Sequence, residues 1–319
     1  VLMSVWILKL LPNLHASNPN DAATITAIVG DLSKKIMPTI MMNPEKNPVL
    51  IFIILPGTIE LLFLTLSGMV PLRLIQPSSN STPLQLCVVV PAHNEEISIG
   101  SCIASLLNRT PGHYQASIVV IADNCNDSTI RIAKAAGVNV IERHDDRSRG
   151  KGYALNHAFN ILLQESYDAF LIVDADTVVE PNFVNRMGDM FEKGSDAVQC
   201  RNLVKNVDES IHTRLMGIAW VAFNVLRLRG RERWGISVGI LGNGFGLSRA
   251  TLVKVPFNTF SIAEDLEYHL RLVKAGLRVR YCQETTVWSD TPVRGQAAAG
   301  QIARWEGGRF RAIREQAPE

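Results

Sequence analysis

No two cysteines in this 319-residue chain stand at CxxC spacing, and no histidine sits at zinc-ligand spacing beside one. The five thiols, Cys87, Cys102, Cys125, Cys200 and Cys282, are scattered. That argues against a disulfide framework or a structural zinc site, and for reduced, mostly buried thiols in a cytosolic domain. An excess of either charge is also missing. With 32 basic and 30 acidic residues the net charge is +2, too little for a surface that tracks nucleic-acid phosphates, so nucleic acid is not an expected partner. Internal repeats and low-complexity tracts are lacking, and so is the GxxxxGK[ST] pattern of a P-loop. No basic start or small-residue cleavage site frames the main apolar run, which excludes a cleaved signal peptide. The length allows one large domain or two small ones, with a substantial core.

The apolar residues are unevenly spread. Residues 49–72, VLIFIILPGTIELLFLTLSGMVPL, reach the ~20 residues that cross a bilayer and carry one charge, Glu60. A transmembrane helix is therefore expected there, kinked at Pro56 and Gly57. Lys34, Lys35 and Lys46 before it and Arg73 after it run against the positive-inside rule for a cytosolic C-terminal domain. That signal is set aside, because chemistry on a cytosolic donor pool needs the domain inside. Residues 76–83, QPSSNSTP, read as a linker. The expected organisation is an anchor and linker over 1–83, a catalytic domain over 84–290 and an amphipathic interfacial helix over 291–319. In that last segment Ile302, Phe310 and Ile313 fall at helical spacing among Arg304, Arg309, Arg311 and Arg314.

From residue 86 the pattern alternates between strand and helix. LCVVVPA (86–92), SIVVIAD (117–123), VNVIE (138–142) and AFLIVDAD (169–176) are apolar, β-branched runs of the kind buried on both faces. Between them, Ile99, Ile103 and Leu106 mark one helix, Asp127 and Gly137 bound a second, and KGYALNHAFNILLQ (151–164) forms a third. Pro181 opens a fourth and Gly194 closes it. Successive βαβ units predict an α/β domain with a mainly parallel sheet, whose ligands bind beyond the carboxyl ends of the strands. The acids stand at those ends. The first strand runs into Pro91-Ala92-His93-Asn94-Glu95-Glu96, the second ends at Asp123, and the fourth ends in Asp174-Ala175-Asp176. Carboxylates packed this closely raise one another's pKa unless a cation joins them, and Mg²⁺ or Mn²⁺ with phosphate oxygens fits that chemistry. Arg149-Gly150-Lys151-Gly152, at the start of the third helix, combines glycines with a point charge suited to phosphate.

The ordered set PAHNEE, ADNCNDST, RGKGYALN, VDAD, GNGFGLSR, AEDLE and QIARW resembles the family 2 glycosyltransferases with the GT-A fold. It is similar above all to the membrane-bound branch that includes cellulose, hyaluronan and poly-N-acetylglucosamine synthases. The resemblance covers about residues 86–306 and implies a Rossmann-like nucleotide-diphospho-sugar transferase domain. It implies that Pro91, His93, Glu95 and Asp123 line the nucleotide pocket and that Lys151 approaches the diphosphate. Asp174 would lie near the ribose or sugar, Asp176 would hold the metal, and Asp265 would be the catalytic base. Gln301, Arg304 and Trp305 match QxxRW, beside the diphosphate and acceptor, and Asn243, Gly244 and Glu264 fall on the acceptor side. The Cys-containing version of the glycine-rich segment found in cellulose synthases is absent from 241–248, which argues against a cellulose product. Processive members continue past QxxRW into membrane helices, so the sequence is expected to stop short of them.

The implied activity is transfer from a nucleotide sugar, UDP-sugar first, to a saccharide or lipid-linked acceptor at the inner face of the cell membrane. A single base suffices for direct displacement, which predicts inversion to a β-linked product. Two alternatives are a nucleotidyltransferase, which lacks its glycine-rich signature here, and a non-catalytic nucleotide-sugar-binding scaffold of the same fold. The helical stretch 208–233 has no chemistry to assign.

Overall fold

The computed structural model describes residues 48–72, 83–261 and 263–293. The amphipathic segment 296–316, the QxxRW residues Gln301, Arg304 and Trp305, and the N-terminal 47 residues lie outside the described residues. By its contacts the chain divides into two compact units, Val1–Glu60 and Leu61–Glu319.

In the first unit, the described residues form the beginning of helix α1, Pro48–Gly68, which starts on a proline whose missing N–H costs nothing at that position and continues past Pro56. The side chains described on α1 are those from 55 onward, and among the described residues no helix is long and apolar enough to cross a membrane. The transmembrane span expected over 49–72 is thus not found among the described residues.

The second unit is a three-layer α/β/α arrangement. Its strands are β1 (Gln85–Ala92), β2 (Gln115–Asp123), β3 (Asn139–Arg143), β4 (Ala169–Ile172), β5 (Thr177–Val179), β6 (Ala197–Val204), β7 (Phe245–Ser248) and β8 (Val279–Ser289). They join one sheet in the order β3-β2-β1-β4-β7-β6-β8-β5. Both faces are covered, as the uninterrupted apolar runs require. Leu86, Val88 and Val90 of β1 face α2 (Ile99–Leu107) and α5 (Phe183–Glu192), whose Ile103, Leu106, Phe183 and Met187 share their core cluster. Cys87 and Val89 face the other way, into a cluster with Leu155 and Ala158 of α4 (Lys151–Leu162), Leu252 of α8 (Arg249–Lys254), and Tyr268 and Leu272 of α9 (Glu264–Lys274).

The expected mainly parallel sheet holds for part of it. β1 pairs in parallel with β2 and β4, β2 with β3, and β6 with β8. β7 runs antiparallel to both β4 and β6, and β5 antiparallel to β8, so the whole sheet is mixed. The reason is local: β7 and β5 are short segments that re-enter the sheet from loops rather than through a βαβ crossover.

The stretch 208–233 folds into α6 (Ile211–Val221), a π-helical turn over Ala222–Leu226, and α7 (Arg227–Arg233). Within the second unit α7 packs closely on the end of α1. A Cβ on Gly230 would stand 2.2 Å from the Leu64 carbonyl oxygen, so only glycine permits that approach. Between β2 and β3 lies α3 (Thr129–Ala135), fastened by Asp127, which accepts from the backbone N–H groups of Thr129 and Glu96.

Strand order reverses direction at β1, with β2 and β3 to one side and β4 to the other. The carboxyl ends of β1 and β4 therefore splay apart into a crevice, the place where such sheets bind ligands.

Candidate active site

A cleft of about 340 Å³ opens at that reversal. Pro91, His93 and Glu95 after β1, Asp123 at the end of β2, and Asp174 and Asp176 after β4 line it, with Arg149, Gly150 and Lys151 at the start of α4. The segments expected to converge do so, because parallel neighbours end on the same edge of the sheet.

The turns after β1 and β2 hold left-handed asparagines, Asn94 at φ 55° and Asn124 at φ 52°. Asparagine tolerates this conformation by bonding locally. Asn94 Oδ1 accepts the Asn126 N–H at 2.9 Å, and Asn124 Oδ1 accepts the Asp145 N–H at 2.8 Å. His93 donates from Nδ1 to the Asp123 carbonyl at 2.7 Å, tying the two strand ends together. Asp123 is buried, and Arg143 at the end of β3 donates to its Oδ1 at 2.5 Å and to Asp145 at 2.9 Å. Arg143, which braces Asp123 at the cleft, was not singled out from the sequence. A charged residue closing an apolar strand beside the acid-bearing ones was the available signal.

Lys151 is engaged inside the site: its Nζ donates to Asp174 Oδ1 and to the Gly242 carbonyl. Burial works against its charge, but Asp174 foremost, then Glu264 and Asp265, hold its pKa above the ordinary lysine value. Asp176 has an open side, yet the protein packed around it raises its carboxyl above the usual carboxylate range, with Asp174 and Glu95 adding to the effect. Among the described residues Asp176 makes no ion pair, and its carboxylate accepts only the Thr177 hydroxyl, at 3.3 Å. Lys151 eases the crowding only from a distance, and a carboxylate so placed, outside any ion pair, fits a hard divalent cation. No group of three His, Cys, Asp or Glu able to hold a metal exists among the described residues. An ion held through Asp176 must complete its shell with phosphate oxygens and water.

Glu264 and Asp265 open α9. The Asp265 carboxylate comes within 3.4 Å of where a Cβ on Gly242 would stand, and the Gly242 carbonyl holds Lys151, so α9 adjoins the cleft through the glycine-rich loop. Glu264 is pushed up to about 7 by burial, with Asp265 and Asp174 adding to the shift and Lys151 opposing it.

Two residues expected on the acceptor side, Asn243 and Gly244, are packed into the sheet. Asn243 is 4% exposed and its side-chain amide is fully occupied inside the sheet. A Cβ on Gly244 would come within 2.6 Å of Val287 and 2.7 Å of the Cys200 sulfur, so this glycine serves close packing. The Asn243 side chain bonds to the turn after β4 and to β5 and β8, and Gly244 lies against β6 and β8. The five thiols are unpaired and four are buried, and burial pushes the Cys87 and Cys102 thiols up to about 12.

The sequence pattern described as "Glycosyltransferase like family 2" matches residues 83–308. A protein of Bacillus subtilis named "Probable glycosyltransferase YdaM" is 26% identical over 233 residues, covering 70% of this chain and 55% of that protein. The beta-monoglucosyldiacylglycerol synthase of Synechocystis is 27% identical over 232 residues, covering 69% of this chain and 46% of the synthase. The chain thus spans about half the length of the curated relatives it matches. Among solved structures, the mannosyltransferase PcManGT of Pyrobaculum calidifontis, in complex with GDP-Man and Mn²⁺, superposes with a TM-score of 0.61 at 18% identity, over 80% of this chain and 71% of that one. Glucosyl-3-phosphoglycerate synthase of Mycobacterium tuberculosis, with Mn²⁺ and UDP-glucose, gives 0.50 at 18% identity, over 74% and 80%. Those likenesses establish the fold, and the sequence match establishes the lineage: this chain belongs to the glycosyltransferase-like family 2.

Proposed function

We propose that the chain is an inverting glycosyltransferase that moves a sugar from a nucleotide-sugar donor, a UDP-sugar first, to a saccharide or lipid-linked acceptor. The observation that carries this reading is the cleft at the strand-order reversal, where Asp176 is crowded by Asp174 and Glu95 and forms no ion pair among the described residues. Support for a nucleotide-sugar donor and a divalent cation comes from the two structural neighbours, solved with GDP-Man or UDP-glucose and Mn²⁺. The named activity of the Synechocystis relative supports a lipid acceptor.

In this reading Asp123, held by Arg143, and His93 bind the nucleoside end of the donor. Lys151 and Asp174 sit where diphosphate meets sugar, and Arg304 with Gln301 adds a second cationic contact. Asp176 would hold Mg²⁺ or Mn²⁺, which when bound would supply positive charge for the departing diphosphate. Asp265 takes the proton from the acceptor hydroxyl as its oxygen attacks the sugar's anomeric carbon. The bond from that carbon to the phosphate oxygen breaks on the opposite face, its electron pair leaving with the nucleoside diphosphate. Trp305 would then lie on the acceptor side. Glu264, protonated over part of the neutral range, keeps a second full charge away from Asp265. The chain would work at the inner face of the cell membrane, a placement supported by exposed apolar side chains along the end of α1 and by unpaired thiols.

Calorimetric titration with UDP, and separately GDP, tests the reading. Binding should require Mn²⁺ and disappear on chelation. Asp265→Asn should bind as wild type yet lose transfer by at least ~10³-fold, the scale of removing a general base. Nucleotide binding indifferent to chelator would refute the role of Asp176. Unchanged transfer in Asp265→Asn would remove Asp265 as the base.

A further inference from the structure

The turn that carries the two aspartates is gripped at both ends by one side chain. Asn243 Oδ1 accepts the backbone N–H of Asp174 at 3.1 Å, at the entry to the turn. At the exit, Asn243 Nδ2 donates to Thr177 Oγ1 at 2.8 Å and to Ser289 Oγ at 3.1 Å. Thr177 and Ser289 are cross-strand neighbours on β5 and β8, with their hydroxyls 3.2 Å apart. The asparagine is held from behind. Gln199, fully buried on β6, donates from Nε2 to the Asn243 carbonyl at 2.8 Å and accepts the Leu241 N–H at 2.9 Å.

The direction of the hydroxyl protons follows from this inventory. An amide nitrogen can only donate, so both hydroxyls spend a lone pair on Asn243 and must send their own protons elsewhere. Ser289 can pass its proton to Thr177, and the acceptor left for Thr177 is Asp176 Oδ1, 3.3 Å away. A chain of donors thus starts at Asn243 and ends on the carboxylate proposed to meet the cation.

On the reading of Asp176 given above, we infer that Asn243 is a positioning residue: it orients the Thr177 hydroxyl toward Asp176 Oδ1 and so presets that carboxylate with its other oxygen free for a divalent cation. Asn243 does this from inside the sheet without touching donor or acceptor. It sits on β7's approach, so the register of the antiparallel half of the sheet fixes the reach of the metal-binding carboxylate.

The test is calorimetric titration of UDP (GDP if UDP fails to bind) at graded Mn²⁺ concentrations, with a thermal melt of each variant. Asn243→Ala and Thr177→Val should each raise the Mn²⁺ concentration for half-maximal nucleotide affinity about 10-fold, the scale of one hydrogen bond to a charged group. Affinity at saturating Mn²⁺ should stay near wild type, Thr177→Ser should keep the wild-type requirement, and the double variant should lose no more than either single one. A folded Asn243→Ala or Thr177→Val with the wild-type Mn²⁺ requirement would overturn the inference, as would additive losses. If Asn243→Ala does not fold, Thr177→Val against Thr177→Ser decides. Wild-type protein that binds neither nucleotide in a Mn²⁺-dependent way would defeat the metal reading itself, and this inference with it.

Discussion

Glu264 and Asp265 are adjacent carboxyls in one first turn, yet their surroundings differ. Asp265 Oδ1 accepts the Leu266 N–H at 2.8 Å, whereas Glu264 is turned among Lys151, Asp174 and Asp265 and is pushed up to about 7. An unfolded glutamate titrates near ~4.3, so the folded protein holds this proton more tightly. The stability it contributes is complete below the unfolded value and is lost as pH rises through about 7. Wild-type melting temperature should therefore fall between pH 5 and pH 7.5 relative to Glu264→Gln, a difference of order 1 kcal/mol after allowance for partial exposure. Parallel melting curves across that range would show that Glu264 does not titrate there. The identities of these acids were legible in the chain, but the environment that separates them was not, because Lys151 arrives from a different βαβ unit.

At the scale of elements, the start of α4 is docked on the loop that leads into α9. Tyr153 stacks on Phe260 with centroids 4.2 Å apart and planes at 13°, and Asn156 Nδ2 donates to the Phe257 carbonyl at 2.8 Å. A Cβ on Gly152 would lie 2.0 Å from the Thr259 carbonyl oxygen. Alanine is the better helix former by ~1 kcal/mol, but a backbone clash of this kind costs ~1–3 kcal/mol, so the clash wins. Gly152→Ala should therefore lower stability in urea and also weaken transfer, since the displaced loop leads into the helix that Glu264 and Asp265 open. A rise in stability would mean that helix propensity alone governs the position. The RGKG motif drew attention to these glycines as phosphate-facing; the structure adds that Gly152 is required by the loop behind it.

For the molecule as a whole, the apolar side chains that the sheet does not absorb are concentrated on the end of α1. Leu62 is 59% exposed, Leu66 57%, Met69 65% and Val70 60%. Arg233 donates to the carbonyls of Ser67, Val70 and Pro71, and Trp234 to the Ser67 hydroxyl, which fixes this segment against α7 and leaves its outer side bare. Each leucine withdrawn into lipid contributes ~1.5–3 kcal/mol, so Leu62→Glu with Leu66→Glu should weaken co-sedimentation with lipid vesicles at least ~10-fold. Equal sedimentation of the double variant and wild type would remove this face as a membrane contact.

The parallel half of the sheet was readable from the chain because β1, β2 and β4 are unbroken apolar runs ending in polar turns, and neighbouring parallel strands must end on one edge. That edge brings His93, Glu95, Asp123, Lys151, Asp174 and Asp176 around one cleft. The antiparallel half was not readable. β5 and β7 are three and four residues long, too short for a periodicity, and strand direction depends on partners far away in the chain. The roles of Gln199, Asn243, Thr177 and Ser289 follow from the pairing and register of that half. Sequence determines which residues stand at the end of a strong strand. Only tertiary structure decides which hydrogen bonds close between segments that local chemistry does not connect, since those bonds depend on distances between strands rather than on spacing along one.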